Sequence, residues 1–333
     1  MATAQEVTQT EMVRPVTRRR NGVSGIVGYL WYLIRRYPVL PLFILFWLVM
    51  GAVFGPWFSP YDRDIGNIKD RHLPTFTTGA MDVDRETGEL VRPDFQKNTW
   101  PHSMWPDAFH LLGSDHVGRD MFTRVLHGAR ISVQVVAISL GSGMILGMSL
   151  GIAAGYYGGI LDELVTRFVD IWNALPFLMV ALVVTLIFGR SITVLFFVLA
   201  LIAWAGFVRV IRAQILILRE MDYVASARIN GASDFRIMFR HLFPGVLNTA
   251  IVVATLNTSG LILSESVLSF VGAGIQPPIP AWGVMTNQGR DYLSNAPHEV
   301  LVPGGAIFLT VIALNFLGDW LRDRLDPRLR QVD

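Results

Sequence analysis

Six stretches of this chain contain no Asp, Glu, Lys or Arg and are strongly apolar: residues 37–61, 131–161, 171–189, 191–208, 241–264 and 300–318. A helix needs roughly 18 to 20 such residues to cross about 30 Å of hydrocarbon. In lipid, backbone N–H and C=O groups must be satisfied within the segment, so each window predicts a transmembrane helix. The expected fold is all-α, a polytopic membrane protein of six spans. A mean hydropathy of +0.44, with 52% hydrophobic and 16% charged residues in 333, excludes an ordinary soluble globular chain.

Orientation is read from Lys and Arg in short loops and flanks. Seventeen lie ahead of the first window, between the second and third, in 209–244 and after the last, against two, Arg190 and Arg290, in the short loops opposite. Both termini and the 209–244 segment are therefore expected in the cytoplasm. The 59–130 segment holds nine more basic residues, but loops of more than about 60 residues cross largely regardless of charge. The predicted organisation is a cytoplasmic N-terminus with an interfacial elbow helix (1–37), a first span (38–58) and an extracytoplasmic loop or cap (59–130). A five-span core (131–318) and a cytoplasmic tail (319–333) follow. In the elbow, Ile26, Tyr29, Leu30, Leu33 and Ile34 share a face ahead of Arg35 and Arg36.

Composition also removes several functions. The first apolar run starts too late and runs too long for a cleavable signal. Arg18-Arg19-Arg20 beside a first span reads as a topology determinant, and a net charge of +2 points to no nucleic-acid partner. With no cysteine, thiolate metal sites are excluded; His102, His110 and His116 lack a short ligand spacing, so no metal is expected. No nucleophile elbow is present, and no catalytic residue is expected. Lys69 and Lys97 precede Asp70 and Asn98, so no P-loop ends in Gly-Lys-Ser/Thr. The chain is expected to bind no cofactor itself.

Three intramembrane or loop patterns remain. Gly143, Gly147, Gly151 and Gly155 recur every fourth residue, giving a helix face without side chains that suits close helix packing. Glu265, near Ser264 and Ser266, is a costly acidic group that must face protein or water; a structural bond to an outer loop and a place on a pathway both remain open. The polar stretch 209–244 carries Tyr223, Ala225, Ser226, Ala227, Arg228, Gly231, Ala232 and Pro244, which predicts a short helix, a glycine turn and a second helix.

That last stretch resembles the EAA loop with which permease subunits of ABC importers engage their ATPases. Leu112-Gly113-Ser114-Asp115-His116-Val117-Gly118-Arg119-Asp120 and the residues to Ser132 resemble the signature of the C-type permeases of dipeptide, oligopeptide and nickel importers. The strings from Leu268 to Gly283 and Asn315 to Arg328 agree, and the resemblance covers roughly 24–330. It implies a six-span subunit working by alternating access with a homologous permease, two ATP-binding subunits carrying ATP and Mg, and an extracytoplasmic binding protein. Ala225 stands where the loop consensus has glutamate and Ser226 where it has alanine, and the 62–108 insertion is long for the family. Peptide is the implied cargo; nickel or oligosaccharide is the alternative. An ion-coupled secondary transporter would instead show inverted repeats, and an intramembrane enzyme a converging set of acid, base or metal ligands. In the signature loop, Ser114 or Asp115 is expected to cap the helix that follows, with Asp120 and Arg124 one turn apart.

Overall fold

A computed structural model describes residues 38–83, 90–91, 96 and 105–325, so the predicted elbow at 22–37 and the end of the tail lie outside the described residues. Helix α1 (Val39–Phe58) is followed by a segment with four two-residue strands, then α2 (Met121–Tyr157), α3 (Gly159–Ala174) and α4 (Phe177–Phe188). The chain continues through α5 (Ile192–Leu218), α6 (Asp222–Ile229), α7 (Asp234–Val271), α8 (Trp282–Gly289) and α9 (His298–Leu325). Among the described residues, α1, α2, α5, α7 and α9 are each long and apolar enough to cross a membrane, and the bent pair α3–α4 makes a sixth if it is counted as one span.

The charge-free windows understate the helices. α2 begins at Met121, ten residues before its window, and α5 runs ten residues past Val208 to Leu218. Arg209 and Arg212 therefore lie inside α5 and not in a loop. They are tolerated because Asp170 and Asp162 of α3 face them: Arg209 donates to Asp170 at 2.7 Å, and Arg212 makes a two-pronged pair with Asp162 whose Nη2 arm is 2.7 Å. The third window is corrected more deeply. Residues 171–189 are not one helix, because α3 and α4 meet at 86° around Leu175 and Pro176. Pro176 lacks an N–H and forces the preceding residue out of the helical region, which ends α3.

The glycine face of α2 packs on α5 of the same chain. A Cβ on Gly151 would sit 3.0 Å from the Val208 carbonyl oxygen, and one on Gly155 2.8 Å from Ile215 Cβ; at Gly143 and Gly147 it would overlap Ala203 and Trp204. Below this seam, Met148, Ile152, Phe207, Ile211, Ile215, Val246 and Ala250 form one buried cluster that brings α7 against α2 and α5. α7 is fastened to α9 at mid-helix, where Ser259 Oγ donates to Asn315 Oδ1 at 2.7 Å.

The 59–110 segment is folded where described. Strands β1 (Thr77–Thr78) and β4 (Phe109–His110) pair antiparallel, as do β2 (Asp82–Val83) and β3 (Leu90–Val91). Tyr61, Ala108 and His110 are fully buried. The Tyr61 hydroxyl donates to the Phe109 carbonyl at 3.0 Å, and the Ala108 N–H donates to Gln96 Oε1 at 2.8 Å.

Replacing Gly147 by Leu places a branched side chain against the Trp204 backbone and Phe207. Overpacking of this kind costs about 1–3 kcal/mol. The expected outcome is a lower thermal midpoint of the detergent-purified single subunit; an unchanged midpoint would mean the seam is looser than its geometry.

Candidate functional site

At one end of the bundle, α5 leads through Arg219 and Glu220 into α6. The Arg219 guanidinium donates to the Gly155 carbonyl at 2.8 Å, satisfying one of the last unpaired carbonyls of α2. α6 is short, and its charged face would not hold it alone. One side chain anchors it: Val224 is fully buried among Ile215, Ile237, Leu242 and Val246.

The end of α6 explains why Ala227, Gly231 and Ala232 stand where they do. Gly231, at φ +74°, is in the left-handed region; its N–H reaches the Arg228 carbonyl and the Ala232 N–H the Ala227 carbonyl, both at 3.0 Å. This nested pair is a Schellman cap, in which the residue after the glycine touches the helix three positions before its cap. Ala227 and Ala232 are those two residues, and both pack on the same buried cluster as Val224. Ser233 then starts α7, its Oγ accepting from the Arg236 N–H at 3.4 Å. The second helix expected after the glycine is not separate. Residues 234–271 form one helix, with a π turn over Ile237–Leu242 just before Pro244. Pro244 has no N–H for the Arg240 carbonyl and its ring presses on that turn, so the helix widens there rather than stopping.

A second tether is polar. The Tyr156 hydroxyl donates to Asp234 Oδ1 at 2.7 Å, while the Arg228 guanidinium sits 5.4 Å from the Tyr156 ring centroid. What remains faces outward: Tyr223, Ala225, Ser226, Arg228, Gly231 and Pro244 are exposed. With them stand Ile229, Phe235 and Phe239, exposed by 86%, 67% and 55%. The Phe235 and Phe239 rings lie 4.4 Å apart, so the segment presents an apolar ridge edged by arginines. Sequence reasoning named the motif residues but missed these three, although their spacing around Gly231 was readable.

At the other end of the bundle, the signature loop joins three parts of the chain. Asp120, not Ser114 or Asp115, caps α2: its Oδ2 accepts from the Thr123 N–H at 2.7 Å and its Oδ1 meets His110 Nδ1 at 2.9 Å. Asp115 accepts from the Val117 and Arg119 N–H groups and from Arg119 Nε at 2.7 Å. Arg124 points to Asp115, 3.7 Å away, rather than pairing with Asp120, and donates to the Arg63 carbonyl at 3.1 Å. Gly118, at φ +80°, passes so close to Asn67 that no side chain fits. His72 Nδ1 and Glu299 Oε1 are 2.5 Å apart, and His298 Nε2 meets the Ser114 carbonyl at 2.9 Å, tying the loop to α9.

The histidines weighed as ligands go to separate tasks. His110 stacks on Tyr61 at 4.8 Å, His116 stacks on Tyr292 at 5.6 Å, and His102 lies outside the described residues. Among the described residues, no three His, Cys, Asp or Glu side chains are placed to hold a metal. Glu265 is buried, accepting from Ser269 Oγ at 2.8 Å and Ser266 Oγ at 3.4 Å; Ser269 in turn accepts from the Ile275 N–H. These bonds fasten the end of α7 to the turn after it.

Two outcomes test this geometry. Gly231→Val requires a β-branched residue at positive φ, a cost of about 1–3 kcal/mol, and should lower the thermal midpoint of the detergent-purified subunit while membrane insertion persists. His116 has its pKa lowered from 6.5 by burial, against an opposing pull from Asp115. A folded-state pKa below the unfolded one contributes stability above about 6.5 that is lost as pH falls through the lowered value. His116→Gln should therefore flatten the acid side of the thermal-midpoint curve; an unaltered curve would refute it.

The chain matches known proteins over most of its length. The family model described as binding-protein-dependent transport system inner membrane component matches residues 147–331. The glutathione transport system permease protein GsiD of Pectobacterium atrosepticum is 41% identical over 225 residues, 68% of this chain and 75% of that protein. The dipeptide transport system permease protein DppC of Bacillus subtilis is 34% identical over 291 residues, 87% of this chain and 81% of that one. Among solved structures, an inward-facing conformation of the MetNI methionine ABC transporter superposes with a TM-score of 0.50, at 20% identity, over 61% of this chain and 96% of that one.

Proposed function

Because this chain belongs to the family of binding-protein-dependent transport system inner membrane components, we propose that it is one of two permease subunits of an ATP-driven importer of small peptides. Similarity to permeases named for dipeptide and for glutathione transport, both small peptide cargoes, supports that cargo class over nickel or oligosaccharide. The observation that carries the coupling role is the apolar ridge of Tyr223, Ile229, Phe235 and Phe239, held at one end of the bundle by Val224 and the Gly231 cap. A rigid, exposed, short helix of this kind fits a groove on another protein.

With no Gly-Lys-Ser/Thr sequence, the chain has no phosphate-binding loop, so ATP and Mg belong to two partner subunits. The ridge docks on one of them, on the cytoplasmic side where the arginine-rich segments and both termini lie. ATP closes the ATPase pair, the docked segments move, and the two permeases pass from an inward to an outward opening. At the ridge, Ala225 cannot form the ion pair a glutamate would, so apolar contact and Arg228 supply the grip. The 59–110 segment, folded where it is described, caps the outer face and receives the loaded binding protein.

The test is reconstitution of the complex that copurifies with the tagged chain. Proteoliposomes holding ATP should accumulate a labelled dipeptide when its binding protein is added, and Ile229→Asp should abolish uptake while membrane insertion and pairing with the second permease persist. Uptake of a sugar or metal ion with no peptide uptake would replace the cargo class, and full uptake by Ile229→Asp would remove the ridge from coupling.

A further inference from the structure

The break between α3 and α4 lies at membrane depth. It faces Val198, Ile202 and Trp204 of α5, within the charge-free stretch between Arg190 and Arg209, and Ile202 is only roughly 4 Å of helix rise from the middle of that stretch. The break leaves polar backbone unpaired. The Leu175 N–H reaches back to the Trp172 carbonyl at 3.3 Å, and the first N–H groups of α4 that bond there, Met179 and Val180, use the Pro176 carbonyl. Among the described residues, no backbone donor meets the carbonyls of Asn173, Ala174 or Leu175. All three residues are exposed, and the Asn173 amide donates to the Val169 carbonyl at 2.8 Å, which leaves its Oδ1 as a fourth acceptor.

Beside the break is a recess of about 280 Å³ lined by Trp172, Asn173, Leu175, Phe177, Val198 and Ile202. Lipid tails cannot cover four acceptors, because irregular backbone at this depth persists only against protein or water. Resting on the peptide-import reading, we propose that this recess opens to the aqueous translocation path and is a subsite for the N-terminal end of the peptide cargo. Its occupants are hydrogen-bond donors: the cargo's terminal ammonium and first amide N–H groups meet the free carbonyls and Asn173 Oδ1. Trp172 and Phe177 supply ring faces that favour a cation. No carboxylate or lysine lines it, so it holds cargo through neutral acceptors that release it readily.

The chain has no cysteine, so single-cysteine variants report directly. Asn173→Cys and Leu175→Cys, with Leu186→Cys on the 79%-exposed surface of α4 as control, are assembled with their partners in proteoliposomes and treated with a membrane-impermeant thiol reagent. The two break positions should label in at least one of the nucleotide-free and ATP-bound states, and Leu186→Cys in neither. Saturating dipeptide should slow labelling at the break by fivefold or more, and the same dipeptide N-acetylated should protect much less. Silence at both break positions in a complex that still imports peptide would overturn the aqueous lining. Labelling indifferent to dipeptide would overturn the subsite, and equal protection by the acetylated peptide would overturn recognition of the ammonium. A complex that imports no peptide would sink the cargo reading, while labelling would still decide whether the break meets water.

Discussion

Among the described residues, the most extensive helix contact is between α2 and α5, and the remaining packing is organised around it. Four glycines one turn apart bring two backbones together over about 18 Å of helix. Apolar side chains gain little from leaving lipid for protein, so association in a membrane relies on such close contact and on interhelical hydrogen bonds. With α2 and α5 locked, α5 can present opposite faces to other elements. One face takes Val165, Val169 and Trp172 of α3 around Trp204 and Val208. The other joins Val246 and Ala250 of α7. The arginines of α5 then find their carboxylates on α3 because the seam has fixed the height at which the helices meet.

The far end of the bundle is organised by hydrogen bonds. Asp115, Arg119, Asp120, Arg124 and Glu299 are nearly all removed from solvent; Asp115 and Arg119 pair with each other, and Asp120, Arg124 and Glu299 each meet a counterpart from another segment. A fold that buries so many charges becomes sensitive to the loss of any one of them, since an abandoned charge costs far more than a completed pair contributes. The signature loop is thus a structural joint between the 59–110 segment, α2 and α9, and its glycines are there because Asn67 and Leu73 pass against them.

Much of this could be read from the chain alone, and the misses share a cause. Apolar windows located the five long helices and the bent pair because apolarity is a local property of the chain. They misplaced the ends of α2 and α5 because a charged residue can remain helical when a partner elsewhere neutralises it, and a window does not see Asp162 beside Arg212. Pro176 inside the third window was the available signal for the break and was outweighed by the apolar run around it. The glycine turn at 231 was legible because a positive φ leaves a residue-type signature. The cap at Asp120 was not, since Ser114, Asp115 and Asp120 are all competent caps and the choice depends on His110 arriving from β4. The exposed ridge at Phe235 and Phe239 went unread because the second short helix was drawn as ending before the span, when it is the start of it.

That continuity has a mechanical meaning. α7 is 38 residues long, a rod of about 57 Å, with Phe235 at its foot and Val271 at its head. The bond between Ser259 and Asn315 lies about 36 Å above Phe235 and 18 Å below Val271, which makes it a natural fulcrum. A sideways push of about 2 Å at the foot turns such a lever by roughly 3° and carries the head about 1 Å the opposite way. Under the proposed function, a lever held at that bond would swing its two ends in contrary directions, widening a path at one face as it narrows at the other.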